Sequence, residues 1–129
     1  MKDIIFDELC IKVMSTDESI RFVAIANNTG VMVASAYRRG LTPLMTREDT
    51  SRYALQAVTR AMLRQDFTSK IGEPEYSITK YQKLIRALIP FEFMNDKVFM
   101  LTSYDIGSNP MEIIENKVIP CLQNQKNSV

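Results

Sequence analysis

The sequence predicts an α+β fold in the element order α-β-β-α-β-β-β-α: one five-stranded antiparallel sheet, with the second helix on one face and the first and third on the other. Three observations carry this. Apolar spacing switches between helical and extended periods along the chain in that order. The run from Ile20 to Ala26 is followed by Asn27, Asn28, Thr29 and Gly30 and then by a second extended run, Val31 to Arg38, which is a hairpin signal. Within the first run Phe22 and Ala24 fall on one side and Val23 and Ile25 on the other, so an all-apolar strand lies inside a sheet covered on both faces.

Each element has its own signal. The first helix spans Asp3 to Met14, where Ile5, Leu9 and Val13 recur at i, i+4 and i+8 with Phe6 and Cys10 beside them. Thr16 to Ser19 is a polar break. After the hairpin, Arg38 to Pro43 reads as a connection. The second helix starts at Thr46, whose hydroxyl can cap the Asp49 amide, and runs to about Asp66. Ala54, Leu55, Ala57, Val58, Ala61 and Met62 share a broad face opposite Arg52, Gln56 and Arg60. Gly72 and Pro74 stop the helical segment. Three extended runs follow, Glu75 to Tyr81, Lys83 to Phe91 and Lys97 to Tyr104, separated at Gln82 and by Glu92 to Asp96. Pro90 belongs near the end of the fourth strand because it has no N–H for a ladder. Asn109 caps the third helix, Pro110 takes its first position and Glu112 completes a capping box. Met111, Ile114, Val118 and Leu122 form its stripe, and Pro120 should kink or shorten it. The domain spans 1–122, and 123–129 is a polar tail.

Composition narrows the function. A chain of 129 residues with 46% hydrophobic content forms one domain with a core of its own. A net charge of +1 and a pI near 7.7 argue against a dedicated phosphate-backbone binder, so nucleic acid is not an expected partner. With no His the commonest general base and a common metal ligand are missing. Two cysteines far apart make neither a zinc set nor a redox pair, and read as reduced thiols. Asp3, Asp7, Glu8 and Lys12 interrupt any signal-peptide core, and no window reaches the roughly 18 to 20 apolar residues of a membrane span. These features predict a soluble, cytoplasmic protein with no membrane partner, no metal and no cofactor. Ser35, Ser77 and Ser103 have no His to activate them, and no phosphate-cradling glycine loop is present. The carboxylate pairs Asp3 with Asp7 and Glu112 with Glu115 fall in first turns of helices, where negative charge favours the helix terminus. No enzyme is expected.

Between Ile20 and Leu122 the chain sets Ile20-Arg21-Phe22, Gly30, Gly40-Leu41, Pro43-Leu44, Gly72, Tyr76, Tyr81, Lys83-Leu84, Ile89-Pro90 and Thr102-Ser103 at the starts, turns and ends of its elements. With these residues the element order resembles the roadblock and dynein-light-chain fold, a relative of the longin and profilin folds, and the chain is similar to a family of small archaeal proteins with that order. The resemblance implies a non-catalytic module that dimerises through the second helix and third strand and serves as a platform in small-GTPase or motor regulation.

Two candidate surfaces follow. The small edge Ala54, Ala57, Ala61, with Val58 and with Tyr76 and Ile78 of the third strand, is the expected homodimer interface, since small residues admit a second backbone and an edge strand templates pairing. Arg38, Arg39, Arg52, Arg60 and Arg64 form an expected basic face for an unidentified acidic protein partner. Seven basic residues oppose three acids between Ala36 and Lys70, whereas two Lys oppose five acids from Met1 to Ser19. The alternative to an interaction module is a small-ligand sensor with a pocket between sheet and helix, lined by some of the eight Met and six Phe. A cavity of roughly 300 Å³ would favour that alternative.

Overall fold

The computed structural model describes residues 2–127, with the side chains of 2, 3, 65 and 125–127 left outside the description. The elements are α1 (Lys2–Met14), β1 (Ile20–Ala26), β2 (Met32–Tyr37), α2 (Arg47–Leu63), a 3₁₀ turn (Arg64–Phe67), α3 (Thr68–Ile71), β3 (Ser77–Lys80), β4 (Ile85–Phe93), β5 (Asp96–Tyr104), α4 (Pro110–Ile113), a π-helical turn (Ile114–Val118) and α5 (Ile119–Asn127). The strands form one sheet of order β2-β1-β5-β4-β3, antiparallel at every pairing.

Sheet order explains the composition of β1. It lies between β2 and β5, and both of its faces are covered, so Val23 and Ile25 enter one core cluster while Ala24 and Ala26 enter the other. The first cluster joins those strand residues to Phe6, Leu9, Cys10 and Val13 of α1 and to Ile113, Ile114, Val118 and Leu122 of the C-terminal helices. The second joins the opposite parity, with Leu88, Phe99 and Leu101, to α2.

Local chemistry sets the helix ends. Thr46 Oγ1 accepts the Asp49 N–H at 3.1 Å and Asp49 Oδ2 accepts the Thr46 N–H at 3.3 Å, a reciprocal cap as the sequence predicts. At Asn109 the cap differs. Its Oδ1 accepts the Glu112 N–H at 3.4 Å, but Glu112 receives the Asn109 side-chain amide instead of the backbone N–H. Pro120 neither ends nor shortens its helix: the turn before it widens to a π-turn in which the Ile119 N–H bonds Ile114 O, and the helix continues past Leu122 to Asn127, through the segment expected to be a tail. Widening makes room for a ring that would press on the carbonyl one turn back.

Two strand boundaries also differ from expectation. β4 runs through Pro90 to Phe93 and joins β5 by a two-residue turn, Met94 and Asn95, both at positive φ (52° and 69°), where the sequence suggested a longer break. Such turns usually show a glycine, and none is present to reveal this one. Pro90 is tolerated because β3 begins opposite Leu88 and does not extend as far as Pro90. Residues of β4 at the parity of Leu84 point their amides toward β3, since Leu84 O accepts the Tyr81 N–H at 2.9 Å, and at Pro90 there is no longer a strand to receive one.

Candidate interaction surfaces

Small residues build the inward side of α2. Ala54, Ala57, Val58 and Ala61 are 0, 4, 2 and 6% exposed, packed on Ala24, Ala26, Leu88, Phe99 and Leu101. The sequence reading turned this edge toward a second copy; in the structure the chain's own sheet takes it, because an alanine-faced helix can lie close to the strands. The approach is tight at Gly30 (φ +85°), where a Cβ would sit 2.9 Å from the Leu55 Cα, so the hairpin turn reaches α2 only without a side chain. Toward solvent α2 presents Leu55, Met62 and Leu63, at 51, 44 and 67% exposure. Phe67 and Ile71, in the 3₁₀ turn and the short α3 that follow, are exposed as well, at 62 and 84%.

The other two expected interface residues border β3, an outer strand. Ile78 is exposed. Tyr76 is half-buried and donates its hydroxyl to the Glu115 carboxylate, tying the start of β3 to the C-terminal helix and pushing the phenol up to about 12. From the Tyr81 to Leu84 bond and the register Thr79↔Arg86, the backbone groups of Ser77 and Thr79 face β4, while those of Ile78 and Lys80 face away from the sheet. Arg64 donates to Ser77 Oγ at 3.5 Å, which brings the C-terminal end of α2 to β3.

The basic residues divide. Arg38 leaves the α2 face altogether: it grips Asp105 with two nitrogens, at 2.7 and 3.1 Å, and donates to Glu18 O at 3.0 Å, with Arg21 on the same carboxylate at 3.2 Å. Hydrogen bonding from Arg38 holds the Asp105 carboxyl below its usual range. This cluster fastens the end of the β1–β2 hairpin to the loop after β5. Arg39, Arg52, Arg60 and Arg64 remain exposed. An arginine that sequence reasoning passed over, Arg86, lies with its guanidinium 3.7 Å from the Tyr53 ring centroid and reaches Met45 Sδ. Burial raises the Tyr53 phenol, and the neighbouring Arg86 opposes that rise. No spacing rule links positions so far apart; only the order of β4 beside β5 under α2 brings them together.

Between the β2–α2 connection, α2 and the sheet, a cavity of about 40 Å³ is lined by Phe22, Tyr37, Met45, Tyr53 and Arg86. That is water-sized, well short of the roughly 300 Å³ a small-ligand pocket needs. A larger open groove of about 840 Å³ follows the outer side of β2. Sequence reasoning missed it, because its walls come from α1, α2 and the connection. Cys10 is buried, which raises its thiol to about 12, and burial also raises Cys121. Of the pair Asp3 and Asp7, the Asp3 side chain lies outside the description, and Asp7 is exposed on α1. Among the described residues no three His, Cys, Asp or Glu side chains group as a metal site, and no helix is long and apolar enough to cross a membrane.

This α+β fold with its five-stranded antiparallel sheet is shared with solved Roadblock/LC7 domains. MglB of Myxococcus xanthus superposes with a TM-score of 0.72 at 11% identity, over 98% of this chain and 89% of that one. The gliding protein MglB of Thermus thermophilus gives 0.69 at 11% identity over 95 and 88%. A Roadblock/LC7 domain from Streptomyces avermitilis gives 0.70 at 6% identity over 94% of both chains. No family model and no curated protein matches the sequence.

Proposed function

We propose that the chain is a non-catalytic, homodimeric interaction module, a platform for a signalling protein of the small-GTPase class. One observation carries the dimer: the exposed apolar residues Leu63 and Phe67 flank Arg64, which reaches Ser77 on an outer strand whose Ile78 and Lys80 backbone groups have no neighbouring strand. Large apolar side chains left to solvent beside an open strand edge mark a surface that something covers. A two-fold axis beside β3 would cover both copies with one patch, since the contact is self-complementary. Ala54, Ala57, Val58 and Ala61 then support the contact from beneath, while Ile78 takes part in it directly and Tyr76 fixes the start of β3. The platform reading rests on the roadblock resemblance, and Arg39, Arg52, Arg60 and Arg64 supply a basic surface for an acidic partner.

Light scattering at micromolar concentration tests the dimer. Leu63→Glu, at a solvent-facing position, should weaken association at least about tenfold while leaving far-UV circular dichroism unchanged. A wild-type protein that is monomeric at that concentration ends the reading. The partner class is tested by affinity purification from the native cell with and without a non-hydrolysable GTP analogue; a co-purifying GTP-binding protein retained only with the analogue supports it, and none in either condition overturns it.

A further inference from the structure

The sheet has two outer strands, and β2 is the one with no part in the dimer reading. The Arg38 N–H donates to Arg21 O at 2.9 Å and Val23 pairs with Ala36, so Ala36 and Arg38 turn their backbone groups to β1 while Ser35 and Tyr37 turn theirs away from the sheet. No charge and no proline occurs from Val31 to Tyr37, whereas β3 ends in Lys80. Edge charges and prolines are the usual means of blocking strand addition, and the outer face of β2 lacks both.

This edge is recessed. Pro43, Met45 and Leu55 form one wall of the groove, and Asp7 of α1 stands on the other side of the strand. Walls on both sides decide the occupant: a second copy would bring its own α1 and α2 against them, but a single extended chain lies between them. Charge then selects among such chains. Arg47 lines the α2 side of the groove and Asp7 the α1 side. Successive side chains of an added strand point to opposite faces. A segment with an acidic residue at one parity and a basic residue at the other meets both.

We propose that the β2 groove binds an extended segment of a partner protein by strand addition, pairing with the Ser35 and Tyr37 backbone, with an apolar centre and one carboxylate directed at Arg47. The occupant is a peptide in a strand conformation, which is a different ligand and a different edge from the dimer.

A display library of random linear ten-residue peptides, selected on the intact protein, tests this. Enriched peptides should shift the Ser35 and Tyr37 amide resonances and bind Ser35→Pro at least tenfold more weakly, since proline removes a donor that β1 does not use. Arg47→Glu should replace the selected acidic residue with a basic one. No enrichment above a protein-free selection overturns the proposal, as do peptides that bind Ser35→Pro as tightly as wild type, or an acidic preference that survives Arg47→Glu. Conversion of a dimer to a monomer by Ser35→Pro would make a second copy the occupant and overturn it equally. The Leu63→Glu dimer test reads the other edge, so each reading fails separately.

Discussion

The two faces of the sheet are covered by opposite means. Under α1 and the C-terminal helices the core is made of large side chains, with Leu9, Val13, Ile25, Ile89, Met100, Tyr104, Ile114 and Val118 all at 2% exposure or less. Under α2 five alanines, Ala24, Ala26, Ala54, Ala57 and Ala61, line the contact, with Phe99 and Leu101 as its bulk. The first face holds by interlocking volume, so removing volume is what harms it. The second holds by close approach, and adding volume harms it. Closeness has a further consequence on the outside: α2 turns its small residues to the sheet, and its large ones, Leu55, Met62 and Leu63, are left to solvent.

Substitutions that exchange volume between the faces should separate them most clearly. Leu9→Ala should lower the unfolding free energy by about 2–5 kcal/mol in urea titrations, through lost burial and the cavity left behind. Ala57→Leu should cost about 1–3 kcal/mol by overpacking, although it adds apolar surface. A neutral Ala57→Leu would show that α2 can move away from the sheet, and the contrast between the faces would collapse.

Glycine sharpens the same point on a smaller scale. Gly30→Ala and Gly40→Ala both place a side chain at positive φ, +85° and +78°, a cost of about 1–2 kcal/mol each. Only at Gly30 does the new Cβ meet Leu55, and nothing lies within 4 Å at Gly40. Gly30→Ala should therefore be the more destabilising of the two by thermal unfolding, and equal losses would remove the close contact between hairpin and α2.

The smallest effect lies at the border of the bulky face, where Lys117 donates to Asp17 at 2.8 Å. That bond, with others from Ser19, holds the Asp17 carboxyl down at about 2. Because the folded value lies below the ordinary one, the stabilisation is present above about pH 4 and is lost as pH falls toward 2. Lys117 is about half exposed, which screens the pair, so its share should be smaller than that of any substitution above. Comparing wild type with Asp17→Asn between pH 5 and 2 checks it: the gap should close on acidification, and a gap that is constant with pH would deny the carboxylate any role.

Much of this fold was legible one element at a time. Thr46 and Asp49 announce the start of α2 because their partners are three residues apart, and the apolar Phe22, Val23, Ala24 and Ile25 announce a strand covered on both faces because burial of alternate side chains is a property of the strand alone. The helix stripes through Leu9 and Val13, and through Ile114 and Val118, are of the same kind. Local periodicity says that a residue is buried, but not by what. Which way the Ala54 to Ala61 edge turns depended on the position of α2 over β1, β5 and β4, and a helix with both alanines and leucines in one wide apolar arc fits either direction until the sheet is in place. Arg38 reads as one of a basic run until the loop after β5 brings Asp105 to it, 67 residues on. Arg86 meets Tyr53, and the β2 edge acquires walls from α1 and α2, for the same reason: pair energies between distant residues exist only once the order β2-β1-β5-β4-β3 has brought the residues together. What the sequence determined by itself was the set of elements and their buried faces, through interactions that span a turn of helix or a pair of strand residues; the surfaces available to partners were decided by the tertiary structure, because a surface is whatever packing leaves uncovered.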